Sequence, residues 1–397
     1  MKRCILLAVV YSSGAVAAGA AGPVRRVAEP VRDEYVVVLK AGVARHGRGP
    51  SSAGPSVASV ARDLARRHAA KLEHVFEHAL LGFSARMTVA RAALLADDPR
   101  VDYVEEDGVV RLVTTEEGAT WGLDRIDQRS LPLSTTYSYT NAGLGVTAYI
   151  IDTGIRFTHS EFGGRAVSGF DAVNGGSADD CNGHGTHVSG TVGGATYGVA
   201  KQVTLVAVRV INCLGVGSNA HVIAGIDWVT GDHAPGAPAV ANMSLGSTST
   251  SDALDAAVAG SISGGISYAI AAGNGNLLGI PKDACTTSPA RVPEAMTVSA
   301  TNMDDKKPFW ANYGDCVDWF APGVGVTSAW KSSDTATMTL SGTSMAAPHT
   351  TGVAALYLQS DPGATPAQVR DALYAKTTMG VVANSRTANN HLLFTDY

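Results

Sequence analysis

The chain has 397 residues, too many for one ordinary domain, and 45% of them are hydrophobic, enough to fill a sizeable core. Only 16% of the residues are charged, the net charge is −5, and no basic patch suggests a nucleic-acid partner. No uninterrupted apolar run reaches the roughly 20 residues that a membrane-spanning helix needs. The composition therefore indicates a globular protein that binds neither nucleic acid nor membranes.

The first residues have the organisation of an export signal. Two basic residues precede an apolar stretch over residues 4–10, and Ala15-Val16-Ala17 offers a small-residue cleavage site. Cleavage could equally follow Ala18 or Ala21. We predict a signal peptide over residues 1–21 and a secreted, extracellular protein.

Residues 22–113 predict a small α+β domain. Residues 34–40 are rich in β-formers, 75–87 indicate two strands around a loop, and 101–112 indicate a further strand. One helix is predicted over residues 88–96. Another is predicted from an apolar stripe at helical spacing, formed by Val57, Val60, Ala61, Leu64, Ala65 and Leu72. The order β-α-β-β-α-β is a ferredoxin-like plan.

Two buried strands further along the chain end in polar residues. The apolar, β-branched run 146–151 is followed by Asp152, and the run 266–272 is followed by Gly273 and Asn274. Ligand and catalytic sites of open α/β sheets lie at the carboxyl ends of strands, although a lone Asp there is more often a turn former or helix cap. Between them, the glycine-rich turn around His184 leads into a helix of small residues.

Ser344 follows Gly342-Thr343 and stands immediately before an apolar run that predicts a helix over residues 345–358. It would lie at the positive end of the helix dipole, with an exposed hydroxyl and an unpaired N–H. That position suits a nucleophile and the first half of an oxyanion hole. The alternative is an ordinary capping turn, because Ser and Thr favour helix N-termini.

An Asp, a His, an Asn and a Ser in this order resemble the subtilisin-like serine peptidases. Three blocks carry the resemblance: Ile150-Ile151-Asp152-Thr153-Gly154, His184-Gly185-Thr186-His187 and Gly342-Thr343-Ser344-Met345-Ala346-Ala347-Pro348. The resemblance runs from about residue 121 to the C-terminus. It is closest to the proteinase K branch, and within it to aqualysin-like secreted bacterial enzymes. It implies a three-layer α/β domain over residues 114–397 with a mostly parallel central sheet.

The resemblance implies a serine endopeptidase of broad specificity that works through an acyl-enzyme on Ser344. His184 would take the serine proton and return it to the leaving amine, and Asp152 would orient the imidazole. Asn274 would donate its amide to the oxyanion. A zinc site on His184 and His187 is a poor alternative, since the glutamate of His-Glu-x-x-His is absent. We therefore expect His187 to be a packed, hydrogen-bonded residue.

The segment 22–113 resembles the inhibitory propeptide of such enzymes; the alternative is an accessory domain. It holds 14 Lys and Arg against 12 Asp and Glu, whereas residues 114–397 hold 14 against 23, so charge favours docking. Contacts far apart in sequence make a parallel sheet slow to fold, and a template would help. From the spacing to Trp121 in relatives, we predict self-cleavage near Val113–Thr114.

Four cysteines remain once the signal peptide is removed, and four cysteines allow three pairings. Export makes disulfides the expected state. Aqualysin-like relatives carry cysteines at these positions, which implies the pairs Cys181–Cys213 and Cys285–Cys316.

The resemblance also implies a cleft that binds an extended peptide by strand addition. Its two edge segments are Gly215-Val216-Gly217 and Ser244-Leu245-Gly246. Small residues at Gly246, Ala272 and Gly273 would leave an open pocket beside the scissile bond. No acid is evident there, so we expect aliphatic and aromatic residues rather than Lys or Arg at the cleavage site.

A structural calcium ion is the expected cofactor, and no catalytic cofactor is expected. Pro293, Ala295 and Asp318 match positions that supply two carbonyls and a carboxylate to a site in proteinase K. Oxygen ligands of this kind suit Ca²⁺. The alternative is that Asp318 only caps a turn.

Two classes of function stay open. The first is an active, monomeric endopeptidase whose partners are protein substrates and its own propeptide. The second is a secreted binding protein whose pro-segment never leaves the cleft. The complete set of Asp152, His184, Asn274 and Ser344 favours the enzyme, because a binding role needs no oxyanion amide. An esterase or transferase has no support beyond the shared acyl chemistry.

Overall fold

The computed structural model describes residues 24–27, 30–44, 54–77, 80–108, 114–247, 249–276 and 278–397. It divides into two compact units, Met1–Arg111 and Leu112–Tyr397. The predicted signal peptide and residue 113 lie outside the described residues.

The smaller unit has the predicted ferredoxin-like plan. Its elements are β1 (Val24–Arg25), β2 (Pro30–Leu39), α1 (Val57–Arg67), β3 (Lys71–Phe76), β4 (Gly82–Arg86), α2 (Val89–Ala96) and β5 (Val101–Gly108). The strand order is β1-β5-β2-β4-β3, and the neighbours from β5 to β3 pair antiparallel. The two helices cover a core that includes Leu64, Phe83, Leu95 and Val104, all fully buried. The predicted fold of this segment is confirmed.

One helix of this unit is shorter than its apolar stripe suggested. The stripe from Val57 to Ala65 is buried as predicted, but α1 ends at Arg67 and Leu72 belongs to β3. The backbone leaves the helix at Ala69, whose φ of 48° is left-handed. Leu72 therefore packs against the same core from a strand.

The larger unit alternates strands and helices. Its strands are β6 (Thr114–Glu117), β7 (Thr136–Tyr139), β8 (Thr147–Asp152), β9 (Ala166–Asp171), β10 (Thr204–Arg209), β11 (Ala239–Met243), β12 (Ser267–Ala271), β13 (Met296–Thr301), β14 (Trp319–Pro322), β15 (Val326–Ala329), β16 (Thr337–Leu340), β17 (Thr378–Met379) and β18 (His391–Leu392). Its α-helices are α3 (Trp121–Ile126), α4 (His184–Gly193), α5 (Asn219–Asp232), α6 (Asp252–Ser263), α7 (Thr343–Ser360) and α8 (Pro366–Lys376).

The central sheet of this unit has the order β17-β18-β14-β13-β12-β11-β8-β10-β9 in the described part of the chain. Every neighbouring pair is parallel except β17 and β18. Successive side chains of a strand point to opposite faces. Accordingly, Ile150 of β8 packs in the same core as Val353 of α7, while Ile151 packs in the core that contains Ile226 of α5. The predicted three-layer α/β architecture is confirmed.

Two disulfides cross-link the larger unit. Cys181 is bonded to Cys213 and Cys285 to Cys316, which are the pairs that the resemblance implied. In the described residues, no helix combines the length and the apolar character that crossing a membrane would require.

Candidate active site

The sheet brings three of the predicted site residues to one edge. The strand order reverses at β8, because β10 and β11 lie on its two sides. Such a reversal opens a crevice at the carboxyl ends of the strands. Asp152 is the last residue of β8, Ser244 follows β11, and Asn274 lies just after β12.

Asp152 and His184 form a hydrogen-bonded pair. Asp152 Oδ1 lies 2.8 Å from His184 Nδ1 and also accepts the N–H of Thr153 at 2.8 Å. Burial lowers the pKa of His184, but the charge and hydrogen bond of Asp152 outweigh it, so the pKa is raised above its ordinary value. The side chain of Asp152 is only 1% exposed. The pair holds the proton on Nδ1 and leaves Nε2 available as a base.

A further acid, Asp180, holds the loop before α4, and the sequence analysis did not identify it. Its Oδ1 accepts hydrogen bonds from Thr153 Oγ1 at 2.9 Å and from the N–H groups of Asn182 and Gly183 at 2.9 and 2.8 Å. Its Oδ2 accepts from Thr186 N at 2.9 Å and from Thr186 Oγ1 at 2.6 Å. One buried carboxylate thus ties the loop after β8 to the start of α4.

Glycine makes the close approach between these two segments feasible. A Cβ at Gly185, in the first turn of α4, would lie 2.1 Å from the carbonyl oxygen of Gly154. Real Cβ atoms do not come so near to a backbone oxygen, so any other residue would push α4 away from the end of β8. Gly185 therefore allows α4 to lie close enough to the end of β8 for the His184 imidazole to reach Asp152.

Ser344 lies in the first turn of α7, one residue inside the helix. Because Pro348 has no N–H, it cannot donate to the carbonyl oxygen of Ser344, and Ser244 Oγ donates to that oxygen instead at 2.7 Å. Ser344 Oγ in turn donates to Ser244 O at 2.9 Å. No hydrogen bond joins Ser344 Oγ to His184 among the described residues. Rotation about one side-chain bond redirects the hydroxyl, and catalytic hydrogen bonds often form only with substrate present.

The side chain of Asn274 is oriented by Thr343. Asn274 Oδ1 accepts from the N–H of Thr343 at 2.8 Å and from its hydroxyl at 3.0 Å. The amide nitrogen consequently lies on the other side, 3.3 Å from the position that a Cβ on Gly342 would take. The residue with a left-handed backbone in this turn is Gly273, with φ 100°, and not Asn274. Thr343 is a positioning residue that the sequence analysis missed.

The other two histidines near the site are packed residues. His187 is buried, and its Nε2 lies 3.1 Å from two carbonyl oxygens, those of Val326 and Met338. His349 is also buried, with Nδ1 2.9 Å from a carbonyl oxygen of its own helix. Burial lowers the pKa of each to about 4, so both are neutral near neutral pH.

A cleft runs between the two predicted edge segments. Its cavity of about 480 Å³ is bordered by Asp152 and His184 and by all six edge residues, Gly215, Val216, Gly217, Ser244, Leu245 and Gly246. Gly217 forms an antiparallel bridge with Ile211, whereas Gly215 lies in a turn with a left-handed φ of 79°. The strand-like part of this edge segment is therefore at Gly217, where a substrate could pair by strand addition.

A second cavity of about 240 Å³ opens beside Ser344 and Asn274. Its walls include Ala272 and Gly273 as predicted, together with Ser288 and Asn312. Among the described residues that line it, none is charged. The arrangement brings a serine hydroxyl and a side-chain amide to a pocket whose described lining is uncharged, a combination that can support acyl transfer.

Comparison with models of known protein families shows which family the chain belongs to. The model of the subtilase family matches residues 143–394, and that of the peptidase inhibitor I9 family matches residues 34–113. The chain belongs to the subtilase family. It is a serine peptidase that carries an I9 inhibitor domain ahead of its peptidase domain.

Curated relatives and a solved structure agree. The chain is 54% identical to an extracellular serine proteinase of Thermus sp. strain Rt41A over 83% of this chain and 78% of the relative. It is 46% identical to alkaline serine exoprotease A of Vibrio alginolyticus over 92% of this chain and 67% of the relative. A crystal structure of a cold-adapted subtilisin-like serine proteinase matches with a TM-score of 0.67 and 51% identity, over 70% of this chain and 98% of that one.

The residues predicted to bind calcium have another cation among them. Arg370 Nη2 donates to Asp318 Oδ1 at 2.7 Å, and Arg370 Nη1 donates to the carbonyl oxygen of Pro293. The second oxygen of Asp318 accepts the N–H of Thr297 at 2.8 Å. With these bonds in place, the set formed by Pro293, Ala295 and Asp318 does not fit a calcium ion. The described residues contain no cluster of three or more His, Cys, Asp or Glu side chains suited to a metal.

Proposed function

We propose that the chain is the precursor of a secreted, monomeric endopeptidase that cleaves proteins with broad specificity. Ser344 is the nucleophile, His184 the general base and acid, Asp152 its orienting partner, and Asn274 the side-chain donor to the oxyanion. The observation that carries the proposal is the 2.8 Å Asp152–His184 pair at the same sheet edge as a serine in the first turn of α7.

The reaction follows from these positions. Ser344 Oγ forms a bond to the scissile carbonyl carbon while its proton passes to His184 Nε2. The carbonyl oxygen gains the negative charge and accepts hydrogen bonds from Ser344 N–H and Asn274 Nδ2. The carbon–nitrogen bond then breaks, and the His184 proton goes to the leaving amine. Water repeats both steps on the acyl-enzyme, which releases the acid and restores Ser344.

The substrate lies in the cleft as an added strand, with its main chain between residues 215–217 and 244–246. The residue before the scissile bond enters the neutral pocket beside Gly246, Ala272 and Gly273. A pocket without a carboxylate offers no partner to a buried Lys or Arg, so uncharged aliphatic and aromatic side chains are favoured.

Maturation would remove residues 1–21 as signal peptide and residues 22–113 as propeptide, leaving 114–397 as the extracellular peptidase. The match of the inhibitor family ends at residue 113, which supports a cut between residues 113 and 114. The names of the Thermus and Vibrio relatives support an extracellular role. A structural calcium ion stays a prediction only for places other than the Pro293, Ala295 and Asp318 set, and no step of the reaction uses it.

The test is the native and denatured mass of the secreted product from the wild type and from Ser344→Ala. We expect the wild type to have the mass of residues 114–397 alone and the variant to stay uncut. Ser341→Ala is the matched control, because among the described residues the one hydrogen bond of this hydroxyl is the N–H of Gly325, which it accepts at 2.9 Å. This variant should mature like the wild type.

Two outcomes would contradict the proposal. Identical processing of Ser344→Ala and wild type would mean that another protease matures the chain. A cut propeptide that remains bound in the native mass would favour the secreted binding protein instead.

A further inference from the structure

The guanidinium of Arg370 bonds to two of the three residues of the predicted calcium site, Asp318 and Pro293. Helix α8 starts at a capping box. The Thr365 side chain accepts the backbone N–H of Gln368, and the Gln368 side chain accepts the backbone N–H of Thr365. Val369 and Leu373 of this helix are fully buried, so its rotation about its axis is set by the core. Arg370 is thereby directed at Asp318, 52 residues earlier, and at Pro293, 77 residues earlier.

The electrostatic environment calls for a cation at this place. Asp318 is only 8% exposed, so its carboxylate has lost most of the water that would stabilise its charge. A buried carboxylate that lost its partner would be strongly unfavourable. The guanidinium supplies the positive charge and two directed N–H donors at once.

An ion and the guanidinium exclude each other here. Calcium binds six to eight oxygens at roughly 2.3–2.6 Å, whereas Arg370 Nη2 already lies 2.7 Å from Asp318 Oδ1. Two cations sharing one carboxylate would also repel each other at close range. Since the arginine is part of the chain, it holds Asp318 even when the medium contains no calcium.

We propose that Arg370 replaces a calcium ion in this chain, so that the junction of α8, β14 and the loop before β13 is held without metal. The stabilisation that a bound ion supplies grows with its free concentration. A tethered guanidinium has no such dependence. This inference concerns stability alone and is independent of the catalytic roles proposed above.

The test counts bound calcium by titration calorimetry on the full chain, with Ser344→Ala to prevent autolysis. In that background, Asp318→Asn should bind as many equivalents as its parent, because no ion sits at Asp318. Arg370→Ala should bind one more equivalent of calcium than the parent. The double variant with Arg370→Ala and Asp318→Asn should lose that additional equivalent. Lys376→Ala is the matched control on the same helix, since its partner Asp396 is an exposed carboxylate; it should gain nothing.

Two results would overturn the proposal. Loss of one equivalent in Asp318→Asn would show that the ion binds beside or instead of Arg370. No gain in Arg370→Ala would show that these oxygens form no metal site for an arginine to replace. If Asp318→Asn does not fold, the melting temperature is measured in chelator and again in calcium. The increase on adding calcium should be larger for Arg370→Ala than for the parent. Equal increases would refute the replacement.

Discussion

Asp180 offers the sharpest test of how the chain positions its base. The carboxylate accepts five hydrogen bonds, three on Oδ1 and two on Oδ2. In Asp180→Asn, an amide nitrogen replaces one oxygen. If it takes the place of Oδ2, it faces the N–H of Thr186 and loses that bond, whereas the Thr186 hydroxyl can turn to accept from it. Hydrogen bonds to charged groups contribute about 1.5–3 kcal/mol each, so the loss of this one bond should cost roughly 1.5–3 kcal/mol.

Part of this loss should appear as disorder of the loop before α4 rather than as global unfolding. That loop leads directly into His184, the first residue of α4, so the fall in activity should be in kcat, with KM changing less. Each 1.36 kcal/mol of lost positioning costs a factor of ten in rate, and we expect a decrease of at least about tenfold. Urea unfolding and initial rates on a peptide substrate measure the two effects.

Asp179→Asn is the control for Asp180→Asn, since it removes the same charge one residue away. Asp179 is exposed, and its side chain makes no hydrogen bond within the described residues. It should keep the stability and kcat of the wild type. If Asp180→Asn also kept both, the proposed support of the His184 loop by this carboxylate would be refuted.

Three further predictions concern the site itself. Asn274→Ala should lower kcat by about 10²–10³ with little change in KM, as measured by initial rates, because the oxyanion loses one donor. The acid limb of kcat/KM should titrate above the ordinary pKa of histidine, because Asp152 raises the pKa of His184 and only the neutral imidazole is a base; Asp152→Asn should move that limb to lower pH. Gly246→Val should reduce kcat/KM for peptides with Phe before the scissile bond more than for Ala, because the side chain enters the pocket toward Ser288 O; equal losses would contradict the pocket assignment.

The parts of the fold that sequence could predict rest on short-range patterns. The strand before Asp152 and the helix after Ser344 are marked by apolar runs, and their bounds differ from prediction by one or two residues. The stripe that included Leu72 was extended too far because apolar spacing continued across the turn at Ala69. A helical period alone cannot show where the backbone leaves the helix.

The supporting residues of the site could not be predicted in this way. Asp180 and Thr343 act through contacts with neighbouring loops, and both residue types are common in turns and caps for local reasons. Arg370 is an ordinary basic residue on a helix until its distance to Asp318 is known. Their roles depend on which segments the sheet order brings together, and no local pattern records that order.

The site also departs from the packing rules that the rest of the molecule follows. Asp152 is nearly fully buried, yet its Oδ2 has no hydrogen-bond partner within the described residues. An unpaired carboxylate oxygen is costly to bury, and the raised pKa of His184 shows that the imidazolium form offsets that cost. Only the neutral imidazole can act as the base, and in that form the compensation is incomplete. It becomes complete only when His184 receives the proton of Ser344. The fold therefore places an unfavourable charge where the transition state relieves it, which is the condition for catalysis by differential stabilisation.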